Sequence, residues 1–423
     1  MYKIIIFCIL IFSGCAIKED LTNPNIQTNL SQNAGDYVSE FDSKIDKTIL
    51  KELKSEYLDQ YFSIWDKDFM PSPSDIMFWG LKEKDGYDES KRKIEKDFFE
   101  NIAKTMDLEN YPSMRQKAIM VKTANVRTLP TIKPRYSKID GYPFDRWQNS
   151  LIFAFTPIIV LHRDTSKEWL LIQSSFVSGW VKSDEVAFVD KKIAKIIRKN
   201  RDFLLPLEDR IPLYHNNLFV QNARIGMLLE GKGDSIYIYQ RDLRGYAKRI
   251  KIKIPKDKFS TFPLPPNQKS IANVADKIGV QNYGWGGMYE LRDCSSFIRD
   301  IFANIGIWLP RNSLAQADFG KIRKNSKYMA LPQDNEDKIQ FIKEYAIPFR
   351  TIIWLKGHIM LYLGVVENEP IVMHAVWGVG SSDGIEILSR VSITTLNPKL
   401  SRIDIDNSSS SLLDRIKAIN IIF

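Results

Sequence analysis

The sequence predicts a multidomain α+β protein, and three observations carry that expectation. An amphipathic helical pattern opens the folded part of the chain. Short β-rich runs bounded by turn residues fill the middle. The last third mixes helical and strand periodicity around one cysteine, Cys294. At 423 residues, and roughly 150 per domain, about three domains are expected. The composition is that of an ordinary globular chain, with 44% hydrophobic and 26% charged residues. Its net charge of +9 comes from 60 basic and 51 acidic residues without a basic run or arm, so no nucleic-acid partner is expected.

The first element is a targeting segment. MYKIIIFCILIFSGC places one lysine before an apolar run from Ile4 to Phe12, then Ser13, Gly14 and Cys15. The run is too short to span a bilayer and fits the apolar region of a secretory signal. It resembles a bacterial lipoprotein signal; the other reading is a plain signal peptide that happens to contain Cys15. The resemblance implies removal of residues 1–14 and lipid on Cys15, with roughly 0.8 kcal/mol of membrane attachment per buried methylene. Ala16, in place of an aspartate, points to the outer membrane facing the periplasm. Cys8 then leaves with the signal and Cys15 carries lipid, so Cys294 is the one thiol remaining in the mature chain. A lone thiol in an oxidising compartment is either inertly buried or a reactive nucleophile.

Residues 15–36 are polar and aperiodic and read as a flexible tether. Residues 37–112 read as a helical segment: Ile45, Ile49, Leu53 and Leu58 stripe one stretch, MPSPSD breaks it, and KRKIEKDFFENIAKTM follows. Residues 113–190 turn to short strands, such as AIMVKTANVRTLPT, SLIFAFTPIIVLHRD, EWLLIQSSF and VSGWVKSDEVAFV. Four features in order, Val126–Thr131, Pro143–Gln148 with Ser150, Trp169, and Gly179–Val181, resemble a bacterial Src-homology-three-type barrel. Residues 191–262 repeat that texture and predict a second, more divergent barrel. PKDKFSTFPLPPNQ, with Pro255, Pro263, Pro265 and Pro266, reads as the linker into a last domain at 263–423.

The last domain carries the chemistry. After Cys294, the apolar residues Phe297, Ile298, Ile301, Phe302 and Ile305 recur at helical spacing, and Gly306 supplies a stop. Asp293 and Ser295 suit a helix N-terminus, which places Cys294 in the first turn, where unpaired N–H groups and the helix dipole favour a thiolate. The glycines of YGWGG permit close backbone approach. The thiol needs a proton acceptor, and only four histidines exist. His358 opens the alternating strand GHIMLYLG after Gly357, with Met360 and Tyr362 on its face. A helix-terminal cysteine facing a strand histidine is the papain-like pair, in which imidazole takes the thiol proton and later gives it to the leaving amine. His374, in IVMHAV, is the candidate third member. A three-residue turn at Glu367–Glu369 would pair Tyr362 with His374 and put both histidines on one face; an even-numbered turn would separate them. In either register, twist or a bulge has to close the distance.

Together, YGWGG (283–287), DCSSF (293–297), LPRNSLAQ (309–316), GHIMLYLG (357–364) and MHAVWG (373–378) resemble the NlpC family of papain-like cell-wall peptidases. The barrels and helical segment match its subset with bacterial Src-homology-three-type domains. The resemblance implies hydrolysis of the γ-D-glutamyl to diamino acid bond in peptidoglycan stem peptides, with Cys294, His358 and His374 as the catalytic set and Tyr283 near the oxyanion. It implies substrate contacts at Trp285, Asp293, Ser295 and Ser313, and places Asp145 where the first barrel meets the cleft. Two features depart from the family pattern: a serine pair follows the cysteine where Ser-Gly is commoner, and the second barrel matches too loosely to carry residues over.

Chemistry gives those positions parallel readings. Asp293 offers a carboxylate to the amine of an L-Ala-terminated stem, or simply caps the helix. Ser295 and Ser313 offer hydroxyls to the D-Glu carboxylate, or hold turns. Trp285 walls the pocket or fills core, and Asp145 contacts substrate or stabilises a turn. His162 and His215 lack a partner pattern and read as ordinary histidines. No cluster has metal-ligand spacing, so neither metal nor cofactor is expected; a monomer is expected. A non-catalytic peptidoglycan-binding lipoprotein, and an amidase or acyltransferase on the same scaffold, are the competing functions.

Overall fold

A computed structural model describes residues 30–39, 47–66, 69–73, 77–381, 384–397 and 411–423. The signal segment and the lipidation candidate Cys15 lie outside the described residues.

The first barrel is a seven-stranded antiparallel sheet. Its strands are Gln116–Met120, Ala124–Arg127, Gln148–Ile152, Pro157–Arg163, Trp169–Gln173, Ser178–Lys182 and Val186–Phe188. PIIVLHR and WLLIQ are apolar almost throughout because both faces are covered. Ile158, Val160, Leu170 and Ile172 fill the barrel interior, whereas Ile159, Leu161, Trp169 and Leu171 meet the N-terminal segment. The described residues of that segment share their core with the barrels. Its helix Lys96–Thr105 presses Phe99 and Ile102 onto the first barrel, and its helix Lys47–Tyr61 delivers Tyr57, Leu58 and Tyr61 to the second. Each such side chain contributes roughly 1.5–3 kcal/mol by leaving water. The helices therefore splint the two barrels rather than forming a separate unit.

The second barrel joins a five-stranded sheet, ordered Ala247–Lys253, Ser235–Arg241, Leu229–Lys232, Phe203–Pro206 and Phe259–Thr261, to the hairpin Ile211–His215/Leu218–Ala223. Phe259–Thr261 falls in the proline-rich stretch read as linker, yet it pairs with Phe203–Pro206 as an edge strand.

The tether expected over residues 15–36 is corrected where it can be seen. Residues 30–39 are bound to the C-terminal domain. The Gln32 amide donates to the Ile393 carbonyl (2.9 Å) and accepts from the Ile393 N–H (2.9 Å). The Ala34 and Gly35 N–H groups donate to the Asp276 carboxylate at 2.6 and 3.0 Å, and Ala34 is fully buried. Leu30, Ala34, Tyr37 and Val38 also pack on the C-terminal core.

In the C-terminal domain a six-stranded antiparallel sheet runs in the order Lys327–Ala330, Ile416–Ile421, Thr351–Leu355, His358–Val366, Glu369–Ser381, Gly384–Thr395. One face meets the helices Gln268–Gly279 and Cys294–Asn304: Ile271, Ile278, Phe297, Ile298 and Ile301 share a core with Ile352, Ile359, Leu361, Met373 and Ile393. The other face packs Ile353, Met360, Tyr362 and Val372 against Ile342 of helix Asn335–Tyr345. This packing fixes the cysteine helix over the two strands that carry the histidines.

Candidate active site

The loop before the cysteine is built against the first barrel. Gly286 has φ +57°, and a Cβ there would lie 2.7 Å from Gln148 Cγ and 2.9 Å from the Gln148 carbonyl oxygen. Its carbonyl accepts from Gln148 Nε2 (3.0 Å), and the Trp285 indole N–H donates to the Asp145 carbonyl (2.8 Å). The glycines thus admit the barrel to the loop. On the other side, Asp209 of the second barrel pairs with Arg292 (3.0 Å), which also holds Asp300 within the cysteine helix at 2.7 Å. The loop is clamped between both barrels.

Helix Cys294–Asn304 starts as its sequence predicts. Asp293 is its N-cap and accepts from the Ser296 N–H (2.9 Å), while Ser296 Oγ accepts from the Asp293 N–H (2.9 Å). Cys294 is the first helical residue and is 8% exposed. Its position at the positive end of the helix dipole favours the thiolate.

The histidine hairpin reaches the favourable register through a bulge rather than through an odd-numbered turn. The turn has two residues, Glu367 and Asn368, both at positive φ, with Val366 paired to Glu369. That even turn alone would place His374 opposite Leu361, on the wrong face. A register shift between Tyr362 and Gly364 corrects it: Leu361 pairs with Met373, so His374 falls opposite Met360, on the face of His358. The two rings then meet diagonally, with His358 Nε2 2.8 Å from His374 Nδ1. His374 Nε2 lies 3.1 Å from Thr394 Oγ1 on the next strand. Burial holds the His374 pKa down at about 3, so this ring stays neutral under working conditions.

Cys294 and His358 line one cleft of 710 Å³ between the first barrel and the C-terminal domain, together with Tyr283, Trp285, Asp293, Ser295 and Ser313. The Tyr283 ring is 6.1 Å from that of Trp377, another wall of the cleft. Ser313 is the first residue of helix Ser313–Ile322, capped by Asn312. Asp293 differs from a bare amine acceptor. Arg311 binds it through two nitrogens, at 2.7 and 3.1 Å, and its oxygens also accept from Gly286, Ser295 and Ser296. Burial alone would raise this carboxyl, but the Arg311 charge and the hydrogen bonds bring its pKa down to about 2. Ser295 Oγ is likewise engaged, donating to Asp293 and accepting from Arg311.

Asp145 is the site residue the structure moves out of the cleft. It is 2% exposed, paired with Arg127 at 2.6 Å, and accepts from the Arg135 and Trp147 N–H groups. Its carboxylate organises the barrel turn, and only its carbonyl reaches the wall, through Trp285. His162 is a satisfied core residue between the Met106 carbonyl and the Ser113 N–H. Among the described residues no His/Cys/Asp/Glu group is arranged to hold a metal ion.

Four residues of the site escape the sequence reading. Arg311 stands inside LPRNSLAQ, so the motif signalled it, but its partner Asp293 is a tertiary fact. Gln148 belongs to the barrel motif without any mark of its reach to Gly286. Thr394 is one of many strand threonines. Glu83, from the N-terminal segment, is the second carboxylate of the cleft among the described residues, 59% exposed at its side chain and paired with Arg135 at 2.7 Å.

Comparison with known proteins follows the same division. A model of the NlpC/P60 family matches residues 279–376, and one of the NLPC_P60 stabilising N-terminal domain matches residues 4–111. An SH3 domain of SH3b1 type matches residues 134–182, and one of SH3b2 type matches 190–229. No curated protein sequence matches the chain. Among solved structures, an NlpC/P60 endopeptidase from Photobacterium damselae subsp. piscicida superposes with a TM-score of 0.81 at 24% identity, covering 93% of this chain and 97% of its own. An NlpC/P60 family protein from Bacillus cereus covers 71% of this chain and 98% of its own, at 15% identity and a TM-score of 0.44.

Proposed function

The C-terminal domain belongs to the NlpC/P60 family of peptidases, and from that premise we propose that the chain is a cysteine endopeptidase cutting the γ-D-glutamyl to diamino acid bond of peptidoglycan stem peptides. The observation that carries the chemistry is the shared cleft. A helix-terminal cysteine, Cys294, opens into it beside a histidine, His358, whose far nitrogen is held by His374.

In this reading His358 Nδ1 takes the Cys294 proton and the thiolate attacks the γ-carbonyl carbon of D-Glu. The carbonyl π pair moves to oxygen, where Tyr283 is the neighbouring candidate donor. The C–N bond then breaks as His358 returns the proton to the leaving amine. Water, activated by the same imidazole, hydrolyses the thioester and frees both the carboxylate and the thiol.

The stem would enter with a free L-Ala ammonium, suited to the two carboxylates of the cleft. Asp293 already shares its charge with Arg311, which leaves Glu83 the more available of the two. Trp285, Ser295 and Ser313 would line the path of the D-Glu segment. Lipid on Cys15 would hold the enzyme at the outer membrane, facing the periplasmic wall. Incubation of purified stem peptides with the Cys294→Ala protein tests the proposal: cleavage is expected to vanish with folding unchanged, and retained cleavage rules the thiol mechanism out.

A further inference from the structure

Behind the two histidines lies a third polar side chain, within hydrogen-bond reach of the inner ring. Thr394 is 1% exposed on strand Gly384–Thr395, whose Ser392 pairs with His374. Its hydroxyl therefore stands one diagonal step from the imidazole, and Oγ1 is 3.1 Å from His374 Nε2. The hydroxyl hydrogen is directed elsewhere: Thr394 Oγ1 donates to the Thr395 carbonyl at 2.8 Å. What Thr394 offers to His374 is a lone pair.

We propose that Thr394 is a positioning residue that fixes the tautomers of both histidines and so leaves His358 Nδ1 as the lone pair available to the Cys294 thiol. This rests on the reading of Cys294 and His358 as the reacting pair. The proton count runs in one direction. A hydroxyl that accepts requires His374 to carry its hydrogen on Nε2. Neutral His374 then has a bare Nδ1, which at 2.8 Å must accept from His358 Nε2–H. Neutral His358, with hydrogen on Nε2, keeps its lone pair on Nδ1. When that lone pair takes the thiol proton, the S–H electron pair stays on sulfur, and the new imidazolium still donates from Nε2 to His374. No hydrogen has to move behind the ring during the transfer. The opposite arrangement fails. Hydrogen on His374 Nδ1 would put the His358 hydrogen on Nδ1, facing the thiol as a donor. Protonating His358 would then set two N–H groups against each other.

Two surrounding features hold this relay. Ile393, next to Thr394, is gripped at its N–H and its carbonyl by the Gln32 amide, which stiffens that strand position. Burial keeps His374 itself neutral, so it does not compete for the proton. The charged groups lining the cleft with His358 are Lys356, Arg415, Arg146, Arg311, Glu83 and Asp293; none of them belongs to the relay and none is altered in the test.

The test compares Thr394→Val, which keeps the shape and removes the acceptor, with Thr394→Ser, which keeps the oxygen. Two readouts are used: kcat/KM on stem peptide, and the pH profile of Cys294 alkylation by iodoacetamide in the full chain. Thr394→Val is expected to lower kcat about 10- to 100-fold with KM nearly unchanged, and to move the alkylation profile towards the ordinary thiol value of about 8.5. Thr394→Ser is expected to restore most of both. A wild-type profile in the valine variant overturns the proposal, as does a serine variant impaired as deeply as the valine one. Should Thr394→Val fail to fold, imidazole nitrogen NMR shifts of the wild-type protein decide the matter: hydrogen on His374 Nε2 supports the relay, and hydrogen on Nδ1 overturns it. Alkylation and NMR need no substrate. A failure of the peptidase reading would therefore appear as absent cleavage while these two measurements still report on Thr394.

Discussion

Replacing Arg311 with methionine removes the charge that keeps Asp293 ionised inside the protein, and its effect can be worked out in some detail. The pair is bidentate, at 2.7 and 3.1 Å, with side chains only 10% and 9% exposed. Arg311 also donates to Ser150 of the first barrel (2.7 Å) and to Ser295 (2.8 Å). Removing one member of such a buried pair leaves the other charge uncompensated and costs about 3–5 kcal/mol. Asparagine is a good helix N-cap, so Asp293→Asn combined with Arg311→Met removes the stranded charge and keeps the cap. The double variant should recover at least about 2 kcal/mol relative to the sum of the single losses. The pH dependence has a definite sign. Asp293 titrates at about 2 in the folded protein, below its unfolded value of about 3.9, so its pairing adds stability above pH 4 that is lost as pH falls towards 2. The difference between wild type and Arg311→Met should be largest at neutral pH and shrink on acidification. Urea unfolding followed by tryptophan fluorescence measures all four proteins of the cycle. A single-variant loss under about 1 kcal/mol, or strictly additive losses, refutes the argument that this ion pair anchors the start of the cysteine helix.

Gly286→Ala should cut activity at least tenfold while leaving both barrels folded, because its Cβ would meet Gln148 at 2.7 Å in a backbone held at φ +57°; activity and circular dichroism of the purified variant check this. Cys15→Ala should move the protein from the detergent phase to the aqueous phase in a detergent-partition experiment, and a wild-type protein already in the aqueous phase contradicts the lipid anchor. Acetylating the L-Ala amine of a stem peptide should slow cleavage by one to two powers of ten, the kinetic equivalent of a charge-assisted hydrogen bond worth roughly 1.5–3 kcal/mol. Glu83→Gln should then slow the free-amine peptide far more than the acetylated one, and equal effects on both would remove Glu83 from that role.

Much of the architecture was legible because each domain carries its own local signal. Short apolar strands with turn residues announced the barrels, and Asp293–Cys294 followed by Phe297, Ile298 and Ile301 announced the helix. The histidines were legible as residues but not as a pair. Their meeting depends on a register shift near Leu363, and its one mark in GHIMLYLG is Gly364, a strand glycine at φ +135° of the kind that accompanies a bulge but does not say which way the register moves. Asp145 misled because an aspartate at a domain junction reads the same whether it faces the cleft or, as here, a buried arginine. The docked strap at residues 30–39 was hidden for a different reason: it binds through the Gln32 amide, two backbone N–H groups and the apolar residues Leu30, Ala34, Tyr37 and Val38, a mixture that composition does not report. Tertiary partners such as Arg311 for Asp293 and Thr394 for His374 are separated by 18 and 20 residues, and no periodicity reaches across those distances.

The central claim is that this cleft cuts one particular bond. Mass spectrometry of the products formed from the tetrapeptide stem L-Ala-γ-D-Glu-diamino acid-D-Ala, with wild-type and Cys294→Ala proteins side by side, tests it most directly. The account predicts the dipeptide L-Ala-γ-D-Glu and the complementary diamino acid-D-Ala fragment from the wild type, and intact tetrapeptide from the variant. Cleavage at any other bond, or the same two fragments from both proteins, would contradict it.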